Sequence, residues 1–448
     1  MNRKLQILLF ITLLPFVAFS QAGDTLHIKK GWNFGALPAV SYNTDLGFQY
    51  GALVNLFHYG DGSRYPVYDH SLYLEASRYT KGSGLLRFSY DSDRLLHGIK
   101  TTFDLSYLPE QAVSFFGFNG YDAVFNKAWE DDTDPAYKSR VFYRHKREMW
   151  RLVTNLSGKL LTDKILWSAG LDLYSITTSS VDVDRLNRGK NEEDKLPTIA
   201  EQPGLYEKYS QWGLFPANEL KGGTFTALKA GLVYDSRDFE PNPMHGIWTD
   251  IILSVAPKVL SNLNEGFVQL SITHRQYFTV VKEKLSFVYR LSYQQKIGGH
   301  IPFYALPFLI TTQLKSAYSE GLGGDGSLRG VMRNRVVGEG IIYGNAEFRW
   351  KFYKTRIWNQ NIYCGLNAFV DAGQVVDKVP IDYNILSLDP TSQADDYFAP
   401  DTEKLHWSGG IGLKLVMNEN FIISGEFGQA LNEQDGKNGI YIGLNYLF

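Results

Sequence analysis

The chain has 448 residues, with 45 Lys and Arg against 47 Asp and Glu for a formal net charge of -2, which leaves no electrostatic footprint for nucleic acid. Its single cysteine, Cys364, excludes an intrachain disulfide framework and a Cys-based metal cluster. Hydrophobic residues make up 44% and aromatics 15%, yet the mean hydropathy is only -0.22. Apolar residues dispersed by strict alternation give such an average in a membrane barrel, and a soluble all-β protein would share it.

Residues 1–20 read as a secretory signal peptide. Arg3 and Lys4 precede an apolar stretch, and Ala18-Phe19-Ser20 is a small-residue cleavage site before Gln21. Residues 21–32 then form a short periplasmic segment, and residues 33–448 a single β-barrel domain. No later apolar run is long enough to cross a bilayer as a helix.

Sixteen strands are expected, beginning near Asn33, Leu46, Val67, Gly84, Gly98, Lys138, Ile165, Phe225, Gly246, Phe267, Leu285, Gly340, Asn361, Leu405, Asn420 and Gly439. The clearest lies at 341–352. Ile342, Gly344, Ala346, Phe348, Trp350 and Phe352 take one face; Tyr343, Asn345, Glu347, Arg349 and Lys351 take the other. Repeated on strand after strand of a secreted chain, this pattern turns the apolar face to lipid. The fold class is therefore all-β, a sixteen-stranded antiparallel transmembrane barrel, and the strand number is even, as in single-chain bacterial barrels.

Connection lengths give independent support. Long links at 108–137, 181–224, 298–338 and 374–404 alternate with tight turns at 161–164, 281–284 and 417–419. Outer-membrane barrels have short periplasmic turns and long extracellular loops, so both ends of the barrel fall in the periplasm. The last strand puts Ile440, Ile442, Leu444, Tyr446 and Phe448 on one face, with the aromatics placed for an interfacial girdle.

Motifs of catalysis are scarce. Gly321-Leu322-Gly323-Gly324-Asp325-Gly326 matches a dinucleotide pattern but lacks the flanking strand and helix. No HExxH or GxSxG occurs, so neither an enzyme nor a metal or other cofactor is expected. The same loop continues as Ser327-Leu328-Arg329-Gly330-Val331, and Arg329 at its tip would carry a permanent charge into the lumen. An unpaired buried charge is costly, and alternation points Glu347 and Asp371 inward on the next two strands. Arg329 is therefore expected to meet Glu347 and Asp371, with a solvated, unpartnered arginine as the plain alternative. In Tyr234-Asp235-Ser236-Arg237-Asp238, followed by Gly246, charges crowd a strand end. A salt-bridged turn accounts for them, and contact with a periplasmic partner is the other reading. The acidic stretches 130–134 and 191–195 fall in extracellular loops, as solvated charge or as sites bridged by divalent cations to lipopolysaccharide.

Leu328-Arg329-Gly330, with the preceding glycines, resembles the sixth extracellular loop of the Omp85 superfamily (bacterial surface antigen D15, BamA/TamA-like). Asn345-Ala346-Glu347-Phe348-Arg349, Phe369-Val370-Asp371-Ala372-Gly373, the turn Asp235, Arg237, Asp238 with Gly246, and the C-terminal barrel signal Tyr446 and Phe448 match that family in the same order. The resemblance implies a loop folded into the lumen against Glu347 and Asp371. It also implies a function in outer-membrane protein assembly or translocation through a lateral seam between the first and last strands. Members of this kind usually carry periplasmic POTRA domains, for which residues 21–32 leave no room. A barrel-only member would need a separate periplasmic partner to receive unfolded outer-membrane protein clients. Two other functions stay open: a passive solute channel or receptor, and a structural subunit of an outer-membrane complex.

Overall fold

The structure, a computed structural model, describes residues 28–44, 46–312, 321–357, 360–383, 392–419, 421–444 and 446–448. The signal peptide expected at 1–20, residues 21–27 and the expected strand start at Asn420 lie outside them. Seventeen strand segments are present among the described residues. The first two, Trp32–Pro38 and Ser41–Asn43, are halves of one interrupted strand, β1, because both pair with the strand that follows. Fifteen more follow: β2 (Gly47–His58), β3 (His70–Tyr79), β4 (Gly84–Leu96), β5 (Ile99–Ser114), β6 (Arg144–Thr162), β7 (Ile165–Ser179) and β8 (Gly223–Asp235), then β9 (Gly246–Ala256), β10 (Phe267–Val281), β11 (Leu285–Gly299), β12 (Gly340–Ile357), β13 (Gln360–Asp377), β14 (His406–Met417), β15 (Phe421–Ala430) and β16 (Asn438–Leu444). Each pairs antiparallel with the next, and β16 returns to β1, closing a sixteen-stranded barrel. Where β1 and β16 pair, closure removes the sheet edges that hydrocarbon would leave unsatisfied. The barrel sits in the bacterial outer membrane with the short turns and both ends of the sheet on the periplasmic side.

The alternation expected on β12 is present. Phe348, Trp350 and Phe352 are exposed on the outside, whereas Asn345, Glu347 and Arg349 are buried within the lumen. Strand starts agree with the sequence reading to within three residues except β6, which begins at Arg144. The segment before it turns instead, with Phe142 N–H donating to the Ser139 carbonyl and Arg144 N–H to that of Val141. That turn delivers Phe142 and Tyr143 into an apolar cluster above the barrel, which outweighs continuing the ladder.

The two ends of the lumen differ. At the extracellular end, the links after β5, β7, β11 and β13 pack together through Phe115, Tyr209, Trp212, Phe215, Phe303 and Phe398. Phe215 stacks on Phe303 at 4.2 Å between ring centroids, and Trp212 meets Tyr397 edge-on at 4.9 Å. These rings form an apolar cap over that end. Below the loop that carries Arg329, toward the periplasm, lies an open cavity of about 1470 Å3.

Candidate functional site

The link between β11 and β12 folds down into the lumen, and its residues Leu322, Leu328, Val331 and Val336 pack against Ile341, Val375 and Ala430 of the wall. This apolar contact sets the depth of Arg329, whose side chain is fully buried. Its Nε and Nη2 form a fork on Asp371, at 2.9 Å to Oδ2 and 2.8 Å to Oδ1. Nη1 lies 2.6 Å from Glu347 Oε1 and 2.9 Å from Glu426 Oε1, and the guanidinium sits 3.4 Å above the Phe369 ring. Glu347 also accepts from Arg349 Nε at 2.7 Å, and Glu426 from Lys414 Nζ at 2.8 Å. The cluster therefore holds three cations (Arg329, Arg349, Lys414) against three carboxylates (Glu347, Asp371, Glu426). Buried charge is tolerated when balanced and hydrogen-bonded in this way.

Gly330 makes the close approach that this geometry demands. It has φ 100°, and a Cβ there would lie 2.6 Å from backbone atoms of Gly428 and Gln429 on β15. Leu328 is fully buried in the apolar contact. Two further arginines anchor the same link. Arg333 donates to Glu110 of β5 at 2.8 Å, and Arg335 donates to the carbonyls of Gly120, Ala123 and Gln434.

At the periplasmic rim, Arg237 Nε and Nη2 grip Asp235 at 2.9 Å each, with the guanidinium 4.3 Å from the Trp248 ring. Asp238 accepts from the backbone N–H groups of Phe239 and Met244, and Gly246, at φ 112°, lets β9 leave close beside the Ser236 carbonyl. These four residues form a salt-bridged turn.

The seam is the shortest ladder of the barrel. Among the described residues β1 and β16 share two register pairs, Tyr441 with Asn43 and Ile442 with Tyr42, against seventeen between β12 and β13. Thr44 adds a backbone N–H to the Ile440 carbonyl at 3.1 Å and accepts the Ile440 N–H on its hydroxyl at 2.8 Å. Both lie at the extracellular end. Trp32–Pro38 pairs along its whole length with β2, while its other edge takes no part in the β16 ladder. The cavity is lined at this point by Val40, Ser41, Gly443 and Leu444.

A family model described as the Omp85 superfamily domain matches residues 119–448. This chain belongs to the Omp85 superfamily. A search of curated protein sequences returns no match. Among solved structures, the chain is similar in fold to BamA from Haemophilus ducreyi lacking POTRA domains 1–3, at 16% identity and a TM-score of 0.50, covering 93% of this chain and 71% of that one. It is also similar to CdiB from Acinetobacter baumannii, at 14% identity and a TM-score of 0.46, over 93% of this chain and 60% of that one.

Set against its sequence, this Omp85 barrel brings Arg329, Glu347 and Asp371 into direct contact. It adds Glu426 and Lys414, which the sequence reading did not single out, and sets Phe369, named there only within its motif, beneath the guanidinium. Glu426 was findable: on β15 it follows Ile422 and Ser424 on the inward alternation, the only carboxylate on that face of the strand. Tyr446 and Phe448 are a correction. The expected girdle would expose them to the lipid interface, but pairing of β16 ends at Leu444, and both rings are buried inside the Omp85 lumen. Tyr446 packs with Tyr363, Val416 and Ile422, and Phe448 with Tyr277 and Val288. The Arg349 guanidinium lies 4.5 Å from the first ring and 4.9 Å from the second. Inward cations and apolar side chains give these rings more contact than an interface would.

Proposed function

We propose that this barrel takes part in outer-membrane protein assembly or translocation by offering the free edge of β1 to the strands of unfolded outer-membrane proteins. The observation that carries the reading is the seam: two register pairs at one end, an unpaired seven-residue edge at the other, and a last strand that leaves the wall. An exposed edge is a template for another strand, and main-chain hydrogen bonds would supply the affinity. The lumen loop, held by Arg329, Glu347 and Asp371, keeps the wall rigid while the seam moves. The cap over the extracellular end speaks against a wide passive pore. Residues 1–20 direct the chain to the periplasm, a separate periplasmic protein brings the clients, and lipid and lipopolysaccharide surround the barrel.

A crosslink tests this. With Cys364→Ser as background, Tyr42→Cys and Ile442→Cys place two thiols on directly paired residues, a spacing compatible with a disulfide. In cells depleted of the native protein, the oxidised variant should leave other barrels depleted from the outer membrane, and reduction should restore them. Full rescue by the locked barrel would remove the seam from the mechanism. If depletion leaves every other barrel unchanged, a general assembly role is excluded.

A further inference from the structure

The link between β8 and β9, residues 236–245, is longer than a tight hairpin turn needs. Its shoulders are zipped to each other and to the wall. The Asp238 N–H donates to the His245 carbonyl at 3.1 Å, and the Thr279 hydroxyl of β10 donates to the Met244 carbonyl at 2.9 Å. Between these shoulders the tip, residues 239–243, turns in under the barrel. Asn242 and Pro243 are buried, and Phe239, Glu240 and Pro241 line the floor of the cavity.

The tip is tied to two walls at once. Glu240 Oε2 accepts from Lys100 Nζ of β5 at 2.5 Å, and two residues later Asn242 Nδ2 donates to the Tyr363 hydroxyl of β13. β5 and β13 stand on opposite sides of the closed ring of strands. Two residues of chain span about 7 Å at most, so the long Lys100 and Tyr363 side chains supply the rest of the crossing. The β2–β3 link adds to the same floor. Its Arg64, Val67 and Tyr68 line the cavity, and the Tyr68 hydroxyl donates at 3.1 Å to Asp91, a carboxylate that stands 3.9 Å from Lys100 Nζ. The ties at the tip are weaker than those at the base. The Glu240 side chain is half exposed, where an ion pair contributes little, and a neutral hydrogen bond holds Asn242. At the base, the Arg237 fork on Asp235 is charge-assisted and bidentate. The link is built to swing at its tip about a fixed base.

We propose that the β8–β9 link is a latch across the periplasmic mouth of the lumen. It leaves small solutes free to reach the cavity and bars an extended polypeptide until Glu240 and Asn242 let go of Lys100 and Tyr363. The cavity, at about 1470 Å3, exceeds an ordinary ligand pocket, so access rather than room limits what it takes in. The inference concerns entry to the lumen and holds whether or not the seam opens for client strands.

The test is thiol labelling of the full chain, purified in an uncharged detergent and carrying Cys364→Ser with Ser89→Cys, a cavity-lining position on β4. The probes are N-ethylmaleimide and a maleimide on a long polyethylene glycol chain. In this parent the small reagent should label readily and the long one slowly. Adding Glu240→Gln and Asn242→Ala removes one ion pair and one hydrogen bond, and should speed the long reagent about tenfold while leaving the small one unchanged. Should Asn242→Ala fail to fold, as judged by heat-modifiable gel migration, Tyr363→Phe with Glu240→Gln breaks the same two ties and leaves the link's own backbone unaltered. Rapid labelling of the parent by the long reagent, equal speeding of both reagents, or a rate that neither pair of substitutions changes overturns the proposal.

Discussion

The outer and inner halves of this lumen are built from the same alternating strands and end in opposite states. In the outer half, four long links fold over the barrel, and rings such as Phe215 and Phe303 close it with apolar contacts. In the inner half, charged side chains face a cavity of about 1470 Å3. The divide between them is the Arg329 cluster. A barrel wall does not by itself decide whether a lumen is full or empty. Loop length decides it, since only the extracellular links are long enough to bring apolar residues back over the opening.

Removing the divide should have the largest effect. Arg329→Ala leaves Glu347, Asp371 and Glu426 with one cation fewer in a buried site, at a cost of about 3–5 kcal/mol. The barrel should lose its heat resistance on semi-native gels, and single-channel conductance should rise as the loop leaves its place. Unchanged conductance would show that the aromatic cap alone seals the lumen.

Gly330→Ala sharpens the comparison more gently. A methyl group at φ 100° would press on the β15 backbone, and the strain should lower stability by about 1–3 kcal/mol while the ion pairs stay intact. A denaturation midpoint near that of Arg329→Ala would mean that the loop's seat on β15 matters as much as its charge.

The smallest effect belongs to the cap. His300 Nε2 lies 2.5 Å from Glu219, and this hydrogen bond raises the imidazole pKa above its ordinary 6.5. A raised folded-state value means that the contact stabilises fully below the ordinary value and is lost as pH rises through the raised one. Unfolding midpoints should therefore fall slightly from pH 5.5 to pH 8.5, and His300→Gln should flatten that slope.

Much of the inner half was legible in the sequence. Alternation on β12 located Glu347, and the same rule on β13 located Asp371, because a period of two assigns every side chain to a face. The interruption of β1 was partly legible through Pro38, which cannot donate to a ladder. The outer half was not. Phe142 and Tyr143 carry no periodic signal, and only the assembled cap explains why β6 starts late. Tyr446 and Phe448 misled for a related reason: alternation assigns a face only while a strand keeps pairing, and β16 stops at Leu444.

The short ladder at the seam also bears on how the barrel comes to exist. Thr44 and Ile440 are 396 residues apart, whereas neighbouring strands elsewhere meet across much shorter links. Closing so long a stretch of chain carries the greatest loop entropy of any contact in the sheet, and it yields the fewest main-chain hydrogen bonds in return. The order of folding follows: hairpins first, then a growing curved sheet, and the meeting of β1 with β16 last. Until that last contact forms, the sheet has two bare margins.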